Sequence, residues 1–208
     1  MNEYTTIKAY ASDEFVEHRS RFIGYIKPVT TEQEAVAFIN EKREQHWNAT
    51  HNVYAYILRD GQIRRYSDDG EPQGTAGIPV LDVLQKEGLV DVVAVVTRYF
   101  GGVLLGAGGL VRAYSHGVKL AVDAAQRMTM SECTELELEF GYELYGKISY
   151  ILPKYFAQTI FSDFGVVVKL HLLLKDCYIA PFEKELAELT AAQVVPRVRD
   201  QRFACIEE

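Results

Sequence analysis

The sequence predicts an α+β protein of two domains, an α/β domain over 1–131 followed by a ferredoxin-like βαββαβ domain over 132–208. Three observations predict it. The chain has 208 residues, more than the roughly 100 to 150 at which single domains cluster. Glycine-rich loops that each feed a helix are confined to the first part and stop around RMTMSE (127–132). From Cys133 onward, strands and helices follow the order βαββαβ within ~75 residues, a split-βαβ arrangement.

In chain order, SRFIGYIKPV (20–29) alternates Phe22, Gly24, Ile26 and Pro28 against Ile23, Tyr25, Lys27 and Val29, which is strand spacing. Thr31 and Glu34 form a capping box for a helix that Ala35, Phe38 and Ile39 continue to about Gln45. HNVYAYIL (51–58) is a strand with Val53, Ala55 and Ile57 on one face and Tyr54, Tyr56 and Leu58 on the other. Asp60-Gly61 turns it into the short strand IRRYS (63–67). Pro79 suits the first turn of a helix that ends at Gly88. DVVAVVTRYF (91–100) is almost continuously apolar, as a central strand covered on both faces must be.

A helix over about 109–126 follows, with Leu110, Tyr114, Gly117, Ala121 and Ala124 as a packing stripe and Arg112, His116, Lys119 and Asp123 on another face. The second domain reads as a strand (134–140), a helix (about 143–155), a strand (about 158–162), a turn at Asp163 to Gly165, a strand (166–174), a helix from Pro181 to Thr190 and a last strand (194–206).

Composition narrows the function. The formal net charge is −7, and acids outnumber bases on both sides of Glu132, so binding to nucleic acid by bulk attraction to phosphate is disfavoured and any such contact must be local. The opening MNEYTTIKAY lacks a basic region followed by an apolar one, so a cytoplasmic protein is expected. Cys133, Cys177 and Cys205 are odd in number and far apart, which favours reduced, buried thiols over disulfides or a zinc site.

The stretch YSDDGEPQGTAGIP (66–79) carries the densest chemistry. Asp68, Asp69 and Glu71 are able to hold a hard cation, yet the spacing is not an EF-hand's and the same residues are ordinary turn formers. No metal is therefore expected. Gly74 and Gly77 precede one helix, and Gly101, Gly102, Gly106, Gly108 and Gly109 precede the next. Helix N-termini of this kind receive anions, while the competing reading is that the glycines serve tight packing. Arg98, Tyr99 and Phe100 end the central strand beside this loop, with Arg112 and His116 at the start of the next helix. Together they are able to grip a phosphate and stack a base, unless the aromatics pack inward and Arg98 pairs with Asp69 or Glu71. His51 has no serine or cysteine partner for a triad, and His46, Trp47 and His51 fit structural roles better than a ligand set.

Two stretches, YSDDGEPQGTAGIPVL (66–81) and VVTRYFGGVLLGAGGLVRAYS (95–115), are similar to the signature blocks of the IMPACT family. RSRFIGYI (19–26) and THNVYAYIL (50–58) match two earlier blocks, and the whole chain resembles the bacterial YigZ branch. The resemblance implies a first domain with the fold shared by a small-subunit ribosomal protein, a segment of elongation factor G and small-molecule kinases. It implies a second domain resembling the last domain of elongation factor G. It further implies a non-enzymatic role in translational regulation, with RNA, the ribosome or a translation-associated protein as partner and no cofactor. The resemblance does not extend to the RWD domain of the eukaryotic members, so their partner is not expected to carry over, and Gly141 stands where the family pattern has aspartate.

The expected binding face comprises Asp68, Asp69, Glu71, Gly74, Thr75, Gly77, Arg98, Tyr99, Gly101, Gly102, Gly106, Gly108, Gly109, Arg112 and His116, with Arg19, Arg21, His51 and Lys119 as further candidates. The competing functions are a phosphotransferase using the glycine loops and a protein-interaction module. Convergence of Arg19, Arg21, Arg98, Arg112 and Lys119 on one surface favours RNA, and scatter favours protein.

Overall fold

The computed structural model describes residues 3–206. Its strands and helices are β1 (Glu3–Ile7), β2 (Ala11–Glu17), β3 (Ser20–Pro28), α1 (Glu32–Gln45), β4 (His51–Ile57), β5 (Arg64–Ser67), α2 (Gly77–Lys86), β6 (Val92–Tyr99), α3 (Gly106–Ala124), β7 (Arg127–Phe140), α4 (Tyr142–Ile151), β8 (Gln158–Phe164), β9 (Val168–Lys175), α5 (Asp176–Thr190) and β10 (Arg197–Ala204). Contacts divide the chain into two compact units, Tyr4–Met128 and residues 129–206 together with Glu3.

The first unit is a five-stranded sheet in the order β2-β3-β6-β4-β5, antiparallel throughout. Helices cover both faces, which explains the unbroken apolar run of β6. Val92, Ala94 and Val96 join the core beneath α2 and α3, whereas Val93 and Val95 join the core beneath α1. The expected faces of β3 and β4 hold as well: Phe22, Ile26, Val53, Ala55 and Ile57 lie in the first core, and Ile23, Tyr25, Tyr56 and Leu58 in the second.

The capping box of α1 is formed, with Thr31 Oγ1 accepting from the Glu34 amide at 3.2 Å. The backbone N–H of Thr30 donates to the Glu34 carboxylate, which holds its pKa below the usual carboxylate range. Helix α3 comes unusually close to β3, since a Cβ on Gly24 would stand 2.0 Å from the Gly117 carbonyl oxygen. Two facing glycines are what let helix and strand backbones meet there.

The second unit's strands run β10-β7-β9-β8, each pair antiparallel. With α4 between β7 and β8 and α5 between β9 and β10, this is the ferredoxin-like βαββαβ topology, so the two-domain α+β class expected from the sequence is the one observed. Its core is built from Leu136, Leu138, Leu170, Leu172, Phe182 and Leu186 among others.

Several boundaries differ from expectation. RMTMSE is the first half of β7, not a break. Helix α5 begins at Asp176 and carries Pro181 inside it; the proline removes one backbone bond and crowds the preceding turn, and the burial of Phe182 and Leu186 on the helix face opposes that cost. Strand β8 continues to Phe164, which moves the expected turn to 165–167. Cys133 is buried, and burial pushes its thiol pKa up, but Cys177 is exposed, contrary to expectation. No helix among the described residues is long and apolar enough to cross a membrane.

Candidate binding cleft

The three acids of the 68–71 turn point to three different tasks. The Asp68 carboxylate accepts from the amides of Gly74, Ala76 and Gly77 at 2.9, 3.1 and 2.8 Å, clasping the loop onto the start of α2. The Asp69 carboxylate accepts from the Asn52 amide at 2.6 Å and Arg43 Nη2 at 3.0 Å, and its backbone carbonyl sits 2.8 Å from His51 Nδ1. Glu71 Oε1 accepts from Arg98 Nη1 at 2.6 Å and from the Tyr114 hydroxyl at 2.8 Å, with His51 Nε2 3.6 Å away. Among the described residues no cluster of His, Cys, Asp or Glu is arranged to hold a metal ion.

The rest of the loop is held by its own bonds. Thr75 is buried and its hydroxyl donates to the Pro72 carbonyl at 2.6 Å. Gly77 lies so close to β5 that a Cβ would meet the Ser67 carbonyl carbon at 2.8 Å. In the second loop Gly101 has the same role: its amide donates to Ser20 Oγ at 3.2 Å, and a Cβ would stand 2.0 Å from the Arg19 carbonyl oxygen. Gly102 is open to solvent on its Cβ side, and Gly106, Gly108 and Gly109 are not loop at all but the first turn of α3. Packing therefore explains Gly77 and Gly101, whereas the glycines at 106, 108 and 109 shape a helix start that no side chain caps.

Between the two loops lies a cleft of about 360 Å³. Its walls are Pro72, Phe100, Leu104, Leu105 and Leu110, its floor is Thr50, His51, Glu71 and Arg98, and Gly106 and Ala107 open onto it from the first turn of α3. The rim is exposed and apolar, with Leu104 86% and Phe100 44% accessible. Arg98 is only 4% accessible. Its guanidinium lies 5.4 Å from the ring centroids of both Phe22 and Phe100, and its Nε has no hydrogen-bond partner. Burial, and after it the Glu71 charge, pushes the Tyr114 hydroxyl far above its ordinary pKa, so it stays a donor to Glu71.

Other expected members of the face lie elsewhere. Arg98 is not a surface cation; its charge is met by Glu71, the alternative the sequence had offered. Tyr99 points to the opposite side of β6, where its hydroxyl bonds His46 Nδ1 at 2.8 Å. Residues 98 and 99 are adjacent on a strand and must face opposite ways. His46 also bonds the Tyr25 hydroxyl at 2.6 Å, one ring nitrogen donating and the other accepting, and burial lowers its pKa. With Trp47 exposed, these residues form no ligand set with His51.

Arg21 pairs with Glu14 at 2.5 Å, and Lys119 pairs with Glu87 and Asp123. Arg112 and His116 line a neighbouring hollow of about 270 Å³ with Phe15, Glu17 and His18, where the His116 ring meets Phe15 edge-on at 4.6 Å. Arg19 is exposed, with a positive φ of 65°. Of the five basic groups, Arg21, Arg98 and Lys119 are thus met by acids, and Arg21, paired with Tyr99 in the sheet register, stands on the opposite face from Arg98. Sequence reasoning missed Leu104 and Leu105 as parts of the cleft, and Tyr114 as the buried donor behind it that holds Glu71. A tyrosine within a buried stripe needs a partner for its hydroxyl, and paired leucines inside a glycine loop have no periodic reason to be buried; both signals were present.

The Impact N-terminal domain family matches residues 18–122, and the Domain of unknown function (DUF1949) matches residues 138–193. The IMPACT family member YvyE of Bacillus subtilis is 53% identical over 57% of this chain and 55% of its own length, so that match spans about half of that relative. The IMPACT family member YigZ of Escherichia coli is 36% identical over 83% of this chain and 86% of its own. A crystal structure of a hypothetical protein, 32% identical, superposes with a TM-score of 0.62 over 96% of this chain and 98% of that one. With half of its length matched by the Impact N-terminal domain and most of a YigZ protein aligned along it, the chain belongs to the IMPACT family.

Proposed function

We propose that the chain is a binding protein of the translation machinery, and that its cleft engages a translation-associated polypeptide. The supporting observation is the make-up of the cleft: apolar walls and an exposed apolar rim over a floor where Glu71 already neutralises Arg98. Exposed apolar surface around a concavity is what a polypeptide partner covers. Binding through phosphates would need several unneutralised cations on one face. Here three of the candidate cations, Arg21, Arg98 and Lys119, are already paired with acids, in a chain of net charge −7. The link to translation rests on the resemblance of the chain to the IMPACT family.

Co-sedimentation with ribosomes at low salt tests the reading, with Leu104→Asp and Arg112→Glu compared against the native chain. Association is expected to fall about tenfold for Leu104→Asp, as for loss of an apolar anchor, and to be unchanged for Arg112→Glu. The opposite pattern would identify RNA as the ligand, and absence of any association would sink the proposal.

A further inference from the structure

Resting on that reading, we infer that the cleft binds an uncharged, extended apolar segment of its partner by the backbone N–H and C=O of one residue. The floor carries polar atoms that have no partner inside the chain. Arg98 bonds Glu71 through Nη1 and Oε1 only, so the pair is not closed into a two-pronged fork. Tyr114 donates to the same Oε1. Arg98 Nη2 and Glu71 Oε2 therefore make no hydrogen bond among the described residues. Among those residues Arg98 Nε is the one partnerless polar side-chain atom sealed from solvent. Nη2 and Oε2 are consequently open, and both side chains line the cleft.

His51 adds a second acceptor. Its Nδ1 lies 2.8 Å from the Asp69 carbonyl oxygen, which only accepts, so Nδ1 carries the hydrogen. In the neutral ring Nε2 is then a bare lone pair, 3.6 Å from Glu71 Oε1 and without a hydrogen bond. It too is absent from the sealed atoms, and His51 lines the cleft. One donor and two acceptors thus stand together on the floor.

The charges of Glu71 and Arg98 cancel, so the floor calls for neither an anion nor a cation. It calls for a neutral group that donates and accepts at once. The amide is such a group, and every polypeptide supplies it. In an extended chain the N–H and C=O of one residue point to the same side. The N–H is placed to donate to Glu71 Oε2 or His51 Nε2, and the C=O to accept from Arg98 Nη2. The walls of Phe100, Leu104 and Leu110 suit the apolar side chain of that residue, and a cleft of about 360 Å³ has the scale of a small-ligand site. Backbone bonds then supply affinity while the walls choose the side chain, the division of labour seen where peptides bind in extended form.

The test titrates the ¹⁵N-labelled full chain with N-acetyl-Gly-Leu-Gly-carboxamide, with the same peptide methylated on the leucine nitrogen, and with adenosine, whose base edge also donates and accepts. Shifts of the backbone amides and of the Arg98 guanidinium are followed. The parent peptide is expected to bind about tenfold more tightly than the methylated one, the size of one hydrogen bond to a charged group, and to move the Arg98 signals. Its affinity is expected to change less than about twofold between about 50 and 500 mM NaCl, because no net charge is matched. Leu104→Ser is expected to weaken both peptides equally and to leave their ratio intact. The comparison of the two peptides needs no variant, so it decides even where a substitution unfolds the chain. Equal binding of the two overturns the backbone contact and leaves the wider polypeptide reading standing. Binding of neither peptide, binding that leaves the Arg98 signals unmoved, or tighter binding of adenosine overturns the inference, while the ribosome experiment judges the wider reading separately.

Discussion

Glu71 and Arg98 are both more than nine-tenths buried and face each other at 2.6 Å. Removing one partner strands the other charge, whereas replacing both with apolar groups does not. Glu71→Gln is therefore expected to lower unfolding stability by about 3 kcal/mol in urea denaturation, and the double variant Glu71→Gln, Arg98→Met by clearly less. A second buried group makes stability depend on pH. Burial first, and then the charges of Lys42 and Arg21, lower the pKa of His46 between Tyr25 and Tyr99. Since the folded chain binds this proton more weakly than the unfolded one, the contribution is present above the unfolded value of about 6.5 and is lost as pH falls through it toward the folded value. Melting temperature should drop between pH 7.5 and 5.5 in the native chain, and less in His46→Gln. The pairing of Arg98 with an acid of the 68–71 turn was legible as an alternative. The separation of Arg98 from Tyr99 was legible too, from strand alternation alone, but grouping residues by chemistry concealed it.

At the level of elements, α3 depends on two glycines as much as on its apolar stripe. A methyl group on Gly24 would collide with the Gly117 carbonyl, so Gly24→Ala must push β3 and α3 apart and uncover Phe22 and Val118, which are fully buried. Overpacking of this kind costs about 3 kcal/mol, measurable as a lower urea midpoint with unchanged m-value. The start of α1 was legible because Thr31 and Glu34 satisfy its amides by a local code. The start of α3 was not, because Gly106 enters it with a positive φ of 67°, and Gly108 and Gly109 are poor helix formers held by the packing of Leu110 and Tyr114 under the sheet. Pro181 misled in the same way at α5, where the burial of Phe182 outweighs a missing amide.

Across the whole molecule, Arg21, Arg98 and Lys119 are each neutralised by acids, and Arg21 stands on the sheet face opposite Arg98. Association with ribosomes should consequently change less than about threefold between 50 and 200 mM salt, whereas six to ten phosphate contacts would cost about a thousandfold or more; a steep salt slope would contradict the polypeptide reading. The architecture was legible in the sequence because alternation and helical spacing are short-range signals. The cleft was not, because it joins residues 50 and 51, 71 and 72, 98 and 100, and 104–110, and nothing local says which of these meet. The central strand β6 divides what it joins, with Arg98 turned to the cleft and Tyr99 to the cluster under α1. Neighbours in sequence thereby answer to unrelated constraints. A lineage of such chains is free to rewrite what the cleft selects while the tyrosine–histidine side drifts on its own, so one small sheet offers two separately evolvable surfaces.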